Sequence, residues 1–223
     1  MEILYEDNHL IIVNKAVGEI VQGDKTGDEP LSETLKRYIK EKYNKPGEVF
    51  LGVTHRLDRP VSGVVVFART SKALERMNRL FADHAQIRKT YWAIVCGEPE
   101  SGEGTLEHYL VRNEKMNKSF AYDHEKPNSK KAILDYKVIA YGDRYSLLNV
   151  NLRTGRHHQI RCQLAAMGCP IKGDLKYGAP RSNPDGGISL HARSVEFVHP
   201  VQKIPVSVVA ELPEGDIWKK LLK

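Results

Sequence analysis

The apolar residues of this chain fall mostly into short runs separated by turn residues, and few stretches are long enough for helix. Ile3-Leu4-Tyr5 and His9 to Asn14 read as a hairpin joined at Asp7-Asn8. Val49-Phe50-Leu51, Val64 to Phe67, Tyr91 to Cys96, Ile188 to Phe197 and Val206 to Leu212 read as further strands. Ala132 to Ala140 and Tyr145 to Leu152 are paired across the Gly142-Asp143 turn. Helical spacing is confined to three segments and a short C-terminal one. Leu31 to Tyr43 carries Leu35, Ile39 and Tyr43 on one face, and Lys72 to Gln86, capped by Ser71, carries Leu74, Met77, Leu80 and Phe81. A third runs from near Gly155 to Gly168 with Ile160, Leu164 and Met167 buried. Strands that follow one another through hairpins, with helices inserted between them, predict an α+β fold: a mixed, mainly antiparallel sheet with flanking helices. Arg112 to Lys131 is polar, holds five lysines and shows no apolar period, so it is predicted as a loop, one suited to holding a phosphate backbone. With no linker and no repeat, residues 1–223 read as one domain.

Composition narrows the function classes. At 41% apolar and 28% charged residues the chain has the make-up of an ordered globular protein. The 34 basic against 28 acidic residues give a net charge of +6, which suits a polyanionic partner. Three cysteines, Cys96, Cys162 and Cys169, with no CxxC spacing argue against a disulfide framework and for a reducing cytoplasm. Their spacing from His157 and His158 does not fit the tight ligand pairs of a zinc site, so no metal is expected. The N-terminus, Met1-Glu2-Ile3-Leu4-Tyr5-Glu6-Asp7, is acidic and strand-like, unlike a secretion signal, and no run of 18 apolar residues suggests a membrane span.

Chemistry concentrates in His55-Arg56-Leu57-Asp58-Arg59-Pro60-Val61-Ser62-Gly63, where one acid stands between two arginines in a loop flanked by strands. A neighbouring guanidinium keeps a carboxylate ionised and available as a nucleophile; a surface ion pair accounts for the same residues. Arg88-Lys89-Thr90-Tyr91 sets cations before an aromatic ring, as suits phosphate contact and base stacking, or is a strand end with a half-buried tyrosine. Arg153 to Leu164 joins a glycine to Arg156 and Arg161, residues able to bind an anion bidentately. Arg161, beside apolar Ile160, needs an anionic partner if it points inward, and Asp58 is the obvious candidate. Lys172 to Gly178 and Leu190-His191-Ala192-Arg193 complete the clusters, with glycines setting turns and His191 more often structural than catalytic. No GxGxxG or GxxxxGKS motif is present, so a nucleotide cofactor is not indicated.

The segment from His55 to Ala68 closely resembles the HRLD-x-x-[TS]-S-G signature and following apolar run of the RluA-type pseudouridine synthases. The resemblance extends through Asn14 to Gly18 (NKPxG), Lys89 to Ala93 (KxYxA), Thr154 to Arg161 (TGRxHQIR), Pro170 to Gly178 (PIxGDxxYG) and Leu190-His191-Ala192, in the family's order. It implies an enzyme with the family's catalytic fold that isomerises specific uridines of ribosomal or transfer RNA. Asp58 would be the nucleophile and no cofactor would take part, whether the carboxylate bonds to ribose C1′ or to the base. Arg161 would hold Asp58 ionised, and Tyr91 would pack on the target base and assist loss of the C5 proton. Arg56 would fill the space left by the flipped nucleotide, Ile160 and Leu190 would wall the pocket, and His55, Lys89 and Arg156 would contact RNA. Val61, Ala16 and Gln163 depart from the pattern, where Thr, Pro and His are usual. With strands beginning at Met1, the small N-terminal RNA-binding domain of many relatives is expected to be missing, and a monomer is expected. Two other classes fit less well: an RNA-binding protein without activity, opposed by intact Asp58, Tyr91 and Arg161, and a glycosidase, which needs a second placed acid.

Overall fold

The computed structural model describes residues 1–24, 26–83 and 85–222, with the side chain of Asp216 also outside the described set. In chain order the elements are β1 (Glu2–Glu6), β2 (Leu10–Lys15), α1 (Leu31–Lys42), β3 (Gly52–Val53), β4 (Ser62–Ala68), α2 (Ser71–Ala82) and β5 (Ile87–Cys96). Then come β6 (Glu103–Asn113), β7 (Lys118–Tyr122), β8 (Lys130–Tyr141), β9 (Tyr145–Leu152), α3 (Gln159–Ala166), a 3-10 turn (Leu175–Tyr177), β10 (Leu190–Val198), β11 (Pro205–Val209) and α4 (Asp216–Leu221). The architecture is α+β, with a mostly antiparallel sheet and flanking helices. The chain divides into two compact units, Met1–Ile87 with Ala192–Glu211, and Arg88–His191 with Leu212–Lys223. Among the described residues no helix is long and apolar enough to cross a membrane.

In the first unit β2 is flanked by β1 and β4 in antiparallel register, with Leu10 opposite Ala68 and Lys15 opposite Gly63. Leu10 to Val13 are all buried, as expected of a strand covered on both faces. Leu10, Ile12, Val64 and Val66 pack with Ala73 and Met77 of α2 and with Val195, Phe197, Val206 and Val208 of the antiparallel β10–β11 pair. Gly63 is the tight point: at φ +113°, a Cβ there would sit 2.3 Å from the Ala192 carbonyl oxygen.

Several boundaries differ from the sequence expectation. The strand after α1 is Gly52–Val53, and Phe50 is exposed. Helix α2 is capped by Thr70, whose hydroxyl accepts the Ala73 N–H at 3.1 Å, one residue before Ser71. It ends at Ala82 because the backbone of Asp83 leaves helical space; the expected extension to Gln86 crosses His84, which lies outside the described residues. β10 starts at Leu190, since the Leu190 N–H turns back onto the Ile188 carbonyl at 2.8 Å.

The second unit is an antiparallel run of strands in the order β5-β9-β8-β6-β7. The polar stretch predicted as a loop is largely strand: Asn113 pairs with Lys118 across a short turn, and β8 begins at Lys130. Its lysine ammoniums stand over aromatic rings, Lys118 over Phe120 and Tyr177, and Lys126 over Tyr122. A strand whose rings are met by lysine ammoniums reads as polar and shows no apolar alternation. Helix α3 starts at Gln159 and not near Gly155, because His158 takes the left-handed conformation (φ 52°). Every residue from Gln159 to Leu164 is buried, including Gln163, whose amide nitrogen reaches the carbonyls of Leu106 (3.1 Å) and Ala132 (3.2 Å). That departure from the family pattern therefore pins α3 to β6 and β8.

Candidate active site

The loop carrying Asp58 is built from within the first unit. Leu57 and Val61 are buried on either side of the half-buried Asp58, and the Val61 N–H closes a turn onto the Asp58 carbonyl at 3.0 Å. Beneath the turn lies Lys15, fully buried at the end of β2. Its ammonium donates to the carbonyls of Val61 (2.7 Å), Ala16 (2.9 Å) and Arg59 (3.2 Å). The Gly18 N–H adds a bond to Arg59 O at 3.0 Å. Burial pushes Lys15 down to about 8, against the opposing pull of the Glu19 and Asp58 carboxylates. The family motif around Lys15 thus supports the turn on which Asp58 stands.

The two arginines that frame Asp58 in sequence differ in use. Arg59 binds Asp28 (2.6 Å), Asp24 (3.5 Å) and the Thr26 hydroxyl (2.7 Å), which directs it toward the 24–28 loop. Arg56 is exposed. His55 stacks on Phe81 with ring centroids 4.4 Å apart, and its Nε2 accepts the Val66 N–H at 3.0 Å, fixing the entry to the loop.

The remaining candidates belong to the second unit. Tyr91 lies on β5 opposite Val150 of β9 and is nearly buried. Lys89, two residues earlier, is half-buried, and desolvation holds its ammonium down to about 8. Ile160 and Leu190 are buried, and Arg156 is exposed with its Nε donating to Lys131 O at 3.0 Å. His191 sits in the core, edge-on to Trp218.

Arg161, buried in α3, makes a fork with Asp174: Nε to Oδ2 at 2.6 Å and Nη2 to Oδ1 at 2.8 Å. Its Nη1 lies 3.1 Å from His158 Nε2, and His158 Nδ1 lies 2.9 Å from the Tyr177 hydroxyl. The sequence alone does not reveal Asp174 as an acid for this arginine. Asp174, Tyr177, His158 and Lys15 were all visible inside motifs but carried no assigned role, because their pairings depend on folding. Among the described residues no group of three or more His, Cys, Asp or Glu side chains is gathered that could hold a metal ion.

Comparison with known proteins gives a consistent result. The sequence profile of the RNA pseudouridylate synthase family matches residues 9–166. A tRNA pseudouridine synthase C of Vibrio parahaemolyticus is 32% identical, covering 99% of this chain and 93% of its own length. A ribosomal large subunit pseudouridine synthase D of Zymomonas mobilis is 32% identical, covering 96% of this chain and 70% of its own length. Among solved structures, human RNA Pseudouridylate Synthase Domain Containing 4 superposes with a TM-score of 0.79 at 25% identity, over 96% of this chain and 89% of that one.

Proposed function

The chain belongs to the RNA pseudouridylate synthase family as an RluA-type member, an isomerase that converts uridine to pseudouridine in RNA, and from that premise we propose that Asp58 is its nucleophile. The observation that carries this reading is the setting of Asp58. It is a half-buried acid on a turn whose carbonyls are fixed from below by the buried Lys15 ammonium, inside the matched region.

Conversion of uridine to pseudouridine breaks the N1–C1′ bond and forms a C5–C1′ bond. The proton leaving C5 balances the one gained at N1, so atoms and electrons close with no oxidant, reductant or cofactor. Asp58 attacks the nucleoside and holds one fragment while the uracil turns. On the family's pattern Arg161 is the guanidinium that keeps such a carboxylate ionised. Tyr91 packs on the base and assists removal of the C5 proton. Arg56 takes the space left by the extruded nucleotide, which must leave its stack to be reached. Ile160 and Leu190 wall the base, while His55, Lys89 and Arg156 contact the RNA. The substrate is a structured ribosomal or transfer RNA, met by a monomeric enzyme in the cytoplasm.

The test maps pseudouridine across ribosomal and transfer RNA in cells with and without the gene. The expected result is loss of a defined site, restored by the wild-type protein and not by Asp58→Ala, while purified Asp58→Ala still binds the transcript. Restoration by Asp58→Ala would refute the assignment of the nucleophile.

A further inference from the structure

We propose that His158 and Tyr177 are positioning residues that fix the guanidinium of Arg161 before RNA arrives; this rests on the reading of Arg161 given above. Two short segments meet here in matched spacing. His158 and Arg161 are three residues apart across the first turn of α3, and Asp174 and Tyr177 are three apart across the 3-10 turn. His158 and Asp174 each stand immediately before their turn, and Arg161 and Tyr177 lie within it. The two pairs are read against each other, Arg161 on Asp174 and His158 on Tyr177.

The hydrogen-bond roles follow from the donor inventory. A guanidinium carries donors only, so at 3.1 Å from Arg161 Nη1 the His158 Nε2 is the acceptor and carries no proton. Neutral imidazole then bears its proton on Nδ1, which donates to the Tyr177 oxygen at 2.9 Å. That oxygen also accepts the Ser119 N–H at 2.8 Å, so β7 anchors the phenol. Tyr177 therefore sets the tautomer of His158, and the tautomer presents a lone pair to Arg161. Burial keeps the Tyr177 phenol neutral by raising it well above its usual range, in line with this arrangement. The Asp174 fork holds one edge of the guanidinium through Nε and Nη2, and His158 holds Nη1. Contacts on both sides set the plane and the reach of the group, and errors of about 1 Å in such placement lower rates about a hundredfold.

The experiment measures single-turnover release of C5 tritium from unmodified transfer and ribosomal RNA transcripts carrying tritiated uridine, with RNA affinity and melting temperature recorded for each variant. Tyr177→Phe removes the acceptor that sets the tautomer, and His158→Leu removes the lone pair. Each is expected to slow release about tenfold to a hundredfold while the RNA dissociation constant moves less than about twofold. His158→Gln restores an acceptor oxygen near Nε2 and is expected to stay within about threefold of wild type. A structural role would make the rates follow the melting temperatures, with Gln and Leu alike. Rates that do so, or a Tyr177→Phe enzyme at wild-type rate, overturn the proposal. Asp58→Asn and Arg161→Lys serve as the separate arm. If both turn over like wild type, the catalytic reading itself fails. If both are slow while Tyr177→Phe and His158→Leu are not, only the positioning role fails.

Discussion

Replacing Lys15 with methionine isolates what a fully buried ammonium does beneath the Asp58 turn. The side chains are similar in length, so packing is largely kept. In the native protein burial lowers Lys15 from 10.5 to about 8. Between those values the unfolded chain binds the proton and the native one does not, so stability rises with pH through that window. The penalty is fully present below pH 8 and gone above 10.5. At 1.36 kcal/mol per unit, a shift of this size corresponds to about 3 kcal/mol. Methionine removes this penalty but strands carbonyls. Arg59 O keeps the Gly18 N–H, which leaves Val61 O as the chief buried acceptor without its donor, a loss of about 1–3 kcal/mol. The two effects nearly cancel at neutral pH, where Lys15→Met is expected to be about as stable as wild type. Urea unfolding of both proteins from pH 7 to 10.5 should then show wild type gaining about 3 kcal/mol over the variant. Other alkaline titrations are common to both and drop out of the difference. Parallel stability curves would refute the account of Lys15. Activity should behave differently: a turn without its clamp is expected to slow catalysis at least about tenfold even at pH 7, where stability is unchanged.

Three further outcomes are expected. Gly63→Ala places a Cβ 2.3 Å from the Ala192 carbonyl oxygen at a φ of +113°, and should lower stability by about 3 kcal/mol or more, or yield insoluble protein, as read by urea unfolding. Burial pushes the Cys162 thiol up from 9.0 to about 11, so at pH 8 its thiolate fraction is about a hundredfold below that of an ordinary cysteine. Mass spectrometry after iodoacetamide treatment of the folded protein should therefore find Cys162 unmodified when the half-buried Cys96 is labelled. Binding of unmodified transcripts should weaken at least about tenfold between 50 and 200 mM salt; an affinity indifferent to salt would contradict phosphate contact by this chain of net charge +6.

What was legible in the sequence was membership, and what was hidden was pairing. The apolar run Leu10 to Val13 announces a buried strand because it is short, rich in β-branched residues and follows a turn, and the motifs announce a family because their order is improbable by chance. Ala132 to Ala140 is legible as the body of β8, whereas β7 escaped because its rings are met by the ammoniums of Lys118 and Lys126, in a polar composition that shows no period of two. The start of α3 escaped because a left-handed histidine is a local choice that tertiary contacts with Tyr177 and Arg161 stabilise. Arg59 looked like the natural neighbour of Asp58, but its guanidinium reaches Asp28, thirty-one residues back in the chain. The fork of Arg161 onto Asp174, thirteen residues onward, is a contact that only the facing of two helical turns creates. A buried ion pair is destabilised by several kcal/mol when one partner is removed, because the other charge stays in the interior. The same turns therefore tie the placement of Arg161 to Asp174, and Asp174→Ala, which keeps the arginine and removes the acid, is expected to lower stability by about 3–5 kcal/mol in urea unfolding.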